Sequence, residues 1–508
     1  MELLLFPALP IIVSTLLLLL LKQLRKGKHS AKPNLPPGPW KLPILGSIHH
    51  LLGEHPHRRL CTIAKTHGPL LHLKLGEVDL VVITSPDLVR EVFKTHDLKF
   101  ASRPELLAGK LIFYNGSDFG LAPYGKLWIQ LRKICTMELL SVKRVKSFRF
   151  IREDEGNRLV ESISAAAGSP VNLSKMLLSA ANATIARAAF GKECAHEQSF
   201  LSAMKKTFKY LSGFSVVDVF PSLTFLGEIG GVRRGMQRVH RDIDAILNEI
   251  IEEHEAKGLK GDGEAEDLVD VLLKLQNQGG LDLPLTHNNV KAVILDLFLA
   301  GTDTSSATLE WAMTELVRNP NVMQKAQAEV RKALKGKTKV EEKDINKLTY
   351  LNNVLKETLR LHPTGPLLVP RLCRETVELG GYTVPAGSRV VVNAWAIMRD
   401  ARWWEDPEKF MPERFEKQEA LDSGGAAAFE YIPFGGGRRI CPGLAFAYAS
   451  MEYWLAVLLF HFDWELPERR RPEELDVEEA FGLTLTRKND LLFGCNFSCR
   501  LMIVLQDK

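Results

Sequence analysis

The residues with the clearest chemistry lie near the C-terminus, where Phe434-Gly435-Gly436-Gly437-Arg438-Arg439-Ile440-Cys441-Pro442-Gly443 sets one cysteine behind a run of glycines. Phe, Gly, Arg, Cys and Gly at these five spacings arise by chance on the order of once in ten thousand chains of this length. The glycines allow a tight backbone turn whose amides face the sulfur. Pro442 suits the first position of a helix running through Ala445, Ala447 and Ala449 to Leu455. A thiol at a helix N-terminus has its thiolate favoured, and a thiolate is a metal ligand. Thiolate on iron donates electron density that favours O–O cleavage. Zinc needs four ligands in paired spacing, and Cys441 has no Cys or His partner nearby in the sequence.

The other cysteines are Cys61, Cys135, Cys194, Cys373, Cys495 and Cys499, and an odd total of seven without a framework suits a reducing cytosol. Cys135 and Cys194 read as small buried hydrophobes, Cys495 and Cys499 as structural, and His55 and His57 as exposed loop residues. A second constellation is Ala300-Gly301-Thr302-Asp303-Thr304-Ser305, small and hydroxyl residues of poor helix propensity inside a helical pattern. Two readings stand for it. The hydroxyls bond back to carbonyls four residues earlier and bend the helix, or Asp303 and Thr304 offer an acid and an alcohol for proton delivery. Glu357-Thr-Leu-Arg360 puts opposite charges at i and i+3 on one helix face, which in isolation is a solvated pair.

The elements that must position these residues are mainly helical. Val290, Val293, Ile294, Leu297 and Phe298 fall at helical spacing, and the pattern continues towards Leu316 before Asn319-Pro320. One long helix is predicted there, with the Ala300–Ser305 run midway. Leu71–Leu75 and Leu80–Thr84 predict a strand pair around Gly76, and Arg389–Trp395 a further strand after the Pro385-Ala386-Gly387 turn. Gly258–Asp267 and Asp422–Ala428 read as surface loops. The expected fold class is mainly α with a small β portion.

The cysteine decapeptide resembles the haem-binding loop of the cytochrome P-450 superfamily, and the likeness runs from Leu35 to Leu485. The resemblance implies the cytochrome P-450 fold, a single haem-containing domain holding haem b (iron protoporphyrin IX) on Cys441. It implies that Glu357 and Arg360 join Arg414, of Pro412-Glu413-Arg414-Phe415, in a buried network behind the haem loop. It assigns oxygen activation to Asp303 and Thr304. Trp128 and Arg132, in Trp128-Ile-Gln-Leu-Arg132, would meet the haem propionates together with Arg371 and Arg439, while Ala300, Phe434 and Gly443 complete the expected haem contacts. The Leu35–Trp40 hinge, the Ala-Gly-Thr-Asp-Thr run and Phe481-Gly-Leu-Thr484 look most like the plant microsomal branch that oxidises specialised metabolites, terpenoids above all.

The same resemblance implies a monooxygenase fed with single electrons from NADPH by a membrane-bound reductase carrying FAD and FMN, with one atom of dioxygen entering a C–H bond. Substrate contacts are expected from Phe119, Leu121, Ala300, Thr364, Leu368, Leu483 and Thr484, a mostly apolar set suited to a hydrophobic substrate. Lys126, Lys133, Lys143, Arg144 and Arg438 are candidate contacts for an acidic reductase surface, with a generally solvated face as the alternative. Met204–Gly235, with Phe208, Phe214, Val216, Phe220 and Phe225, reads as a lid and membrane-facing surface, or as packing. Two other functions remain open. A haem-thiolate isomerase or dehydratase would need no reductase, and Asp303 and Thr304 argue against it. A non-catalytic haem sensor or electron carrier would need neither the oxygen-relay helix nor an apolar pocket.

At 45% apolar and 25% charged residues with net charge +5, the composition is that of a globular protein and gives no sign of nucleic-acid binding. Leu3–Leu21 is nineteen mostly apolar residues, about 28 Å long as a helix against a hydrocarbon core of ~30 Å. Lys22, Arg25, Lys26 and Lys28 follow, which places the bulk of the chain in the cytosol, and no small-residue cleavage site intervenes. Residues 1–21 are therefore expected to be a transmembrane anchor, which the resemblance to the microsomal branch places in the endoplasmic reticulum membrane. Residues 22–40 are a basic stretch and the proline-rich hinge Leu35-Pro36-Pro37-Gly38-Pro39-Trp40, and 41–508 the haem-thiolate catalytic domain. On this topology the acceptor patterns at Asn115, Asn172, Asn182 and Asn496 stay unglycosylated.

Overall fold

The computed structural model describes residues 33–497 except 167–168, 192–196, 209, 212–214, 224, 259–265 and 417–428. The expected membrane anchor and the loop at 422–428 lie outside the described residues, as does most of 258–267. Asp267, at the end of that last loop, is buried, because it caps the helix Leu268–Gln278 and its Oδ2 lies 3.1 Å from His254 Nε2.

Eight helices position the site: α1 (Lys126–Ile134), α2 (Arg149–Ala165), α3 (Leu173–Phe190), α4 (His287–Gly301), α5 (Asp303–Arg318), α6 (Pro320–Ala333), α7 (Thr349–Leu361) and α8 (Leu444–His461). α5 is central, with α3, α7 and α8 all packed on it, while α2 closes against α3 and α8, and α6 against α7 and α8. Leu309, Trp311, Ala312, Met313 and Leu316 are fully enclosed, as befits a helix covered on every side. α8 is long and apolar enough to cross a membrane, yet 67% of it is buried inside the protein, so it is a core helix.

The helix predicted as one unit through Leu316 is two. α4 ends at Gly301 and α5 begins at Asp303, with Thr302 between them at φ −86°, ψ −68°. Thr302 Oγ1 donates to Phe298 O at 3.0 Å and Thr304 Oγ1 to Ala300 O at 2.6 Å. Hydroxyls compete there with amides for the i−4 carbonyls, and such competition bends a helix.

β1 (Leu70–Leu75) and β2 (Val78–Ile83) form the predicted antiparallel pair, turning at Gly76 with φ +57°. β3 (Arg371–Leu372) and β4 (Arg389–Val392) extend it in the order β1-β2-β4-β3, with β2 and β4 parallel. β4 stops short of the predicted Trp395 because Asn393 Oδ1 accepts from Ala396 N at 3.1 Å and starts a helical turn. The proline-rich segment is extended and lies along β1, with His72 N donating to Pro37 O at 2.9 Å. A Cβ on Gly38 would strike the His72 carbonyl, so glycine permits that approach.

Candidate haem-thiolate site

The cysteine loop owes its shape to its glycines. Gly435 and Gly437 sit at φ +72° and +63°, where a side chain is strained, and a Cβ on Gly436 would lie 2.5 Å from the Phe93 ring. Cys441 N donates to Phe434 O at 3.0 Å, and the Phe434 ring rests 5.5 Å from that of Tyr448, tying the loop to α8. α8 starts at Leu444 with Gly443 as its N-cap, so Pro442 stands in the preceding turn and not at the first helical position. That turn aims the Gly443 amide at the sulfur, and this amide, not one from the preceding glycines, is the backbone donor to Cys441. Burial pushes the Cys441 thiol up, and the Gly443 amide and Arg132 only partly offset it. The helix start therefore does not make the thiolate by itself; a bound metal ion would supply the rest of the stabilisation.

Arg103, Arg132, Arg371 and Arg439 converge beside this loop, within electrostatic reach of one another. Arg439 donates to Ala101 O at 2.6 Å, Phe119 O at 3.2 Å and Ala122 O at 2.6 Å, and its guanidinium lies 4.1 Å from the centre of the Trp128 ring. Trp128 Nε1 donates to Phe119 O at 3.0 Å. Among the described residues Arg103 likewise bonds only carbonyls, those of Gly120, Val369 and Pro370, at 3.1, 2.6 and 2.9 Å. Arg371 Nη2 donates to Gly436 O at 2.6 Å, while its Nη1, 3.6 Å from Asp97 Oδ1, is buried without a hydrogen bond among the described residues. Burial and mutual repulsion depress the proton affinities of Arg103 and Arg439, and burial alone that of Arg371. Guanidinium does not deprotonate at neutral pH, so the cluster calls for an anion. A group with two carboxylates and an iron atom for Cys441 fits, and haem is such a group. Arg103 belongs to no motif, and its sequence context did not single it out.

The facing wall is α4 and α5. α4 is buried continuously from Asn289 to Leu299 and opens at Ala300, which is exposed. A Cβ on Gly301 would lie 2.6 Å from Ile185 Cδ1, so glycine lets α3 approach at this point. Thr304 Oγ1 donates to Ala300 O, which leaves its own oxygen as an acceptor. Desolvation pushes the Asp303 carboxyl up against the pull of Lys205.

Glu357, Arg360 and Arg414 form the expected network. Arg360 Nε and Nη2 meet the two Glu357 oxygens at 2.7 and 2.9 Å, and Arg414 Nε meets Oε1 at 3.1 Å. The remaining Arg360 donors reach Met398 O, Pro407 O and Lys409 O at 2.9, 2.8 and 3.2 Å.

Among the expected substrate residues, Phe119 is buried and Leu121 half-buried on a strap leading into α1. Leu485 N donates to Thr364 O at 2.8 Å, which brings the Thr364–Leu368 segment beside Leu483 and Thr484. Leu368 sits at φ +48° next to Gly435; Leu483 is exposed and Thr484 buried. His57 is not the exposed loop residue expected. It is fully buried, its Nε2 3.2 Å from Glu479 Oε2 and its ring stacked 5.6 Å from Phe481, because the strand carrying Glu479 folds back over the N-terminal helix. Of the five basic residues expected to meet a reductase, Lys126, Lys133, Lys143 and Arg438 are exposed, Arg438 also pairing with Asp97 at 3.3 Å, whereas Arg144 is half-buried and pairs with Glu266 at 3.2 Å. In the expected lid, Val216 and Phe225 are exposed, Phe220 packs on the turn at Gly76, and the side chains of Phe208 and Phe214 lie outside the described residues.

A family profile described as cytochrome P-450 matches residues 36–493. The chain belongs to the cytochrome P-450 family. It is 50% identical to premnaspirodiene oxygenase of Hyoscyamus muticus over 92% of this chain and 93% of that one. It is also 50% identical to desmethyl-deoxy-podophyllotoxin synthase of Sinopodophyllum hexandrum, over 97% of both chains. Germacrene A hydroxylase of Saussurea costus is 46% identical over 96% of this chain and 98% of its own. A solved zebra fish cytochrome P-450 with progesterone superposes with a TM-score of 0.75 at 27% identity, covering 87% of this chain and 99% of that one. The P-450 fold and the haem-thiolate monooxygenase class follow for this chain. Haem is the cofactor that membership of this family implies.

Proposed function

We propose that this P-450 is a membrane-anchored monooxygenase of plant specialised metabolism that oxidises a terpenoid. The observation that carries this reading is the chemistry of the walls: Phe119, Leu121, Ala300, Leu368 and Leu483 offer hydrocarbon surface and no ionisable group. The names of two of the relatives, premnaspirodiene oxygenase and germacrene A hydroxylase, support it. A second reading, a substrate of podophyllotoxin type, rests on a relative of equal identity.

Bound haem supplies the binding and reductive splitting of dioxygen. Cys441 holds its iron, with the Gly443 amide and Arg132 facing the sulfur. Trp128, Arg132, Arg371 and Arg439 would hold its propionates, and Arg371 Nη1, ion-paired with Asp97 but without a hydrogen bond among the described residues, is the donor best placed to gain a partner. Asp303, whose carboxyl is pushed up by desolvation, is the acid of the proton relay, and Thr304, half-exposed next to it, passes protons through its hydroxyl. Ala300 keeps that part of the wall small. NADPH electrons arrive through the reductase FAD and FMN, and Lys126, Lys133 and Lys143 steer the encounter. Residues 1–21 anchor the protein as a single pass in the endoplasmic reticulum membrane with the catalytic domain in the cytosol, and the exposed Val216 and Phe225 face lipid.

The test is co-expression with a plant reductase and feeding of sesquiterpene, diterpene and phenolic precursors. A product gaining one oxygen from labelled O2 with NADPH consumption is expected from a sesquiterpene or diterpene. Oxygenation of the phenolic precursors alone establishes the second reading, and product without NADPH consumption establishes an isomerase or dehydratase instead.

A further inference from the structure

The strap carrying Phe119 and Leu121 is fastened to α4 by two carboxyl groups that take no part in holding haem or delivering protons. Asp296, one turn before Ala300, accepts through Oδ2 from Phe119 N at 2.9 Å and from Gly120 N at 3.0 Å. Asp118 accepts through Oδ2 from Leu121 N at 2.8 Å. The strap is pressed so close that a Cβ on Gly120 would lie 2.9 Å from Asp296 Oδ1. The two carboxyls are themselves in hydrogen-bonding contact, and both are buried. Asp118 Oδ1 receives no N–H or hydroxyl donor among the described residues. A proton on Asp296 is the donor that satisfies it, and without that proton two like charges would face each other out of water.

We propose that Asp118 and Asp296 hold one proton between them and act as a latch that fixes the Phe119–Leu121 strap, which makes both of them positioning residues for the site of oxidation. The consequence for the site of oxidation rests on the reading that this strap faces substrate; the latch itself does not. The surroundings favour a single shared charge. Arg439 and Arg103 face Asp118, and Arg439 also lies within reach of Asp296, as does the buried Cys135 thiol beyond α1. Burial pushes Asp118 up to about 6 and Asp296 well above the carboxylate range, the latter helped by the charge of Asp118. With both folded values raised, the pair carries two protons below the Asp118 value of about 6, holds a single shared proton above it, and loses that proton, and the latch with it, as pH rises through the upper step of the pair's titration.

The test uses the full-length, haem-loaded protein. Infrared difference spectra between wild type and Asp296→Asn should show one protonated-carboxyl stretch at neutral pH that the variant lacks, since the amide replaces the acid as donor to Asp118. Hydrogen exchange at the Phe119, Gly120 and Leu121 amides, corrected for its intrinsic pH dependence, should lose at least about tenfold protection between about pH 6 and 9 in wild type and stay flat in Asp296→Asn. Asp296→Leu should be poorly protected at every pH; if it fails to fold, the Asn variant still decides. With a substrate in hand, Asp296→Leu should change the ratio of oxidation products more than the total. An unchanged carboxyl band in Asp296→Asn, or the same pH trend in both proteins, overturns the latch. A flat profile in the variant with an unchanged product ratio leaves the latch standing and overturns the role assigned to the strap.

Discussion

Glu357 and Arg360 face each other across one turn of α7 as a bidentate pair, at 2.7 and 2.9 Å, with no solvent on either side chain. Glu357 Oε1 also takes the Met411 amide at 2.8 Å, so one carboxylate fixes the backbone from Met398 to Met411 through its partners. Removing it leaves the Arg360 guanidinium buried without its counter-charge, at a cost of about 3–5 kcal/mol. Glu357→Ala should fall to a small fraction of wild-type haem content, read as the ratio of haem to protein absorbance, and Glu357→Gln should lie between. Full haem content and an unchanged melting midpoint in the Gln variant would count against the network as the support of the loop.

Cys441→Ala should lose the thiolate signature, the red-shifted band of the reduced CO complex, whatever haem it retains. Arg371→Leu should lower haem affinity while preserving that band in the fraction loaded, because it removes a propionate donor and leaves the sulfur untouched. Haem titration followed at the Soret band separates the two outcomes.

Thr304→Ala should fold and bind haem normally, since its hydroxyl supports only the Ala300 carbonyl. Product formed per NADPH should fall, with product turnover reduced by roughly 10²-fold and hydrogen peroxide released instead. Asp303→Asn should act in the same direction, and a coupled, fully active Asp303→Asn,Thr304→Ala double variant would remove both residues from proton delivery.

Glu479 gives a pH dependence of stability. Burial pushes its carboxyl up, but the His57 hydrogen bond and the Arg58 and His57 charges outweigh that and hold it at about 2. A depressed folded value stabilises the fold above the ordinary carboxylate value of 4.5, and that contribution, on the order of 3 kcal/mol, is lost as pH falls from about 4.5 towards 2. Denaturant unfolding of Glu479→Gln should show a shallower loss of stability over that acid range than wild type, and less stability than wild type at neutral pH.

Reversing Lys126 and Lys133 to Glu should raise the reductase concentration needed for half-maximal turnover by about tenfold at low salt, with the difference narrowing as salt is added. Turnover driven by peroxide, which bypasses the reductase, should be unaffected. A salt-independent loss would mean that the substitutions disturb α1 and the Trp128 and Arg132 it carries.

The sequence by itself determined the parts whose meaning is local. The glycine-spaced cysteine, the Glu357–Arg360 spacing and the strand alternation at Leu71–Leu75 each dictate geometry within a few residues, and the chain adopts it. The small hydroxyl run advertised the weakened helix that breaks at Thr302, whereas the close approach of Ile185 to Gly301 came from the packing of α3. Only the tertiary structure decided the partners. Asp296 meets Phe119 across 177 positions and His57 meets Glu479 across 422, and no periodicity spans such distances. Arg103 looks like a surface cation until packing encloses it against carbonyls. Backbone sterics and side-chain spacing fix which element a segment forms, whereas burial, and with it the strength of every charge in the site, belongs to the whole chain at once.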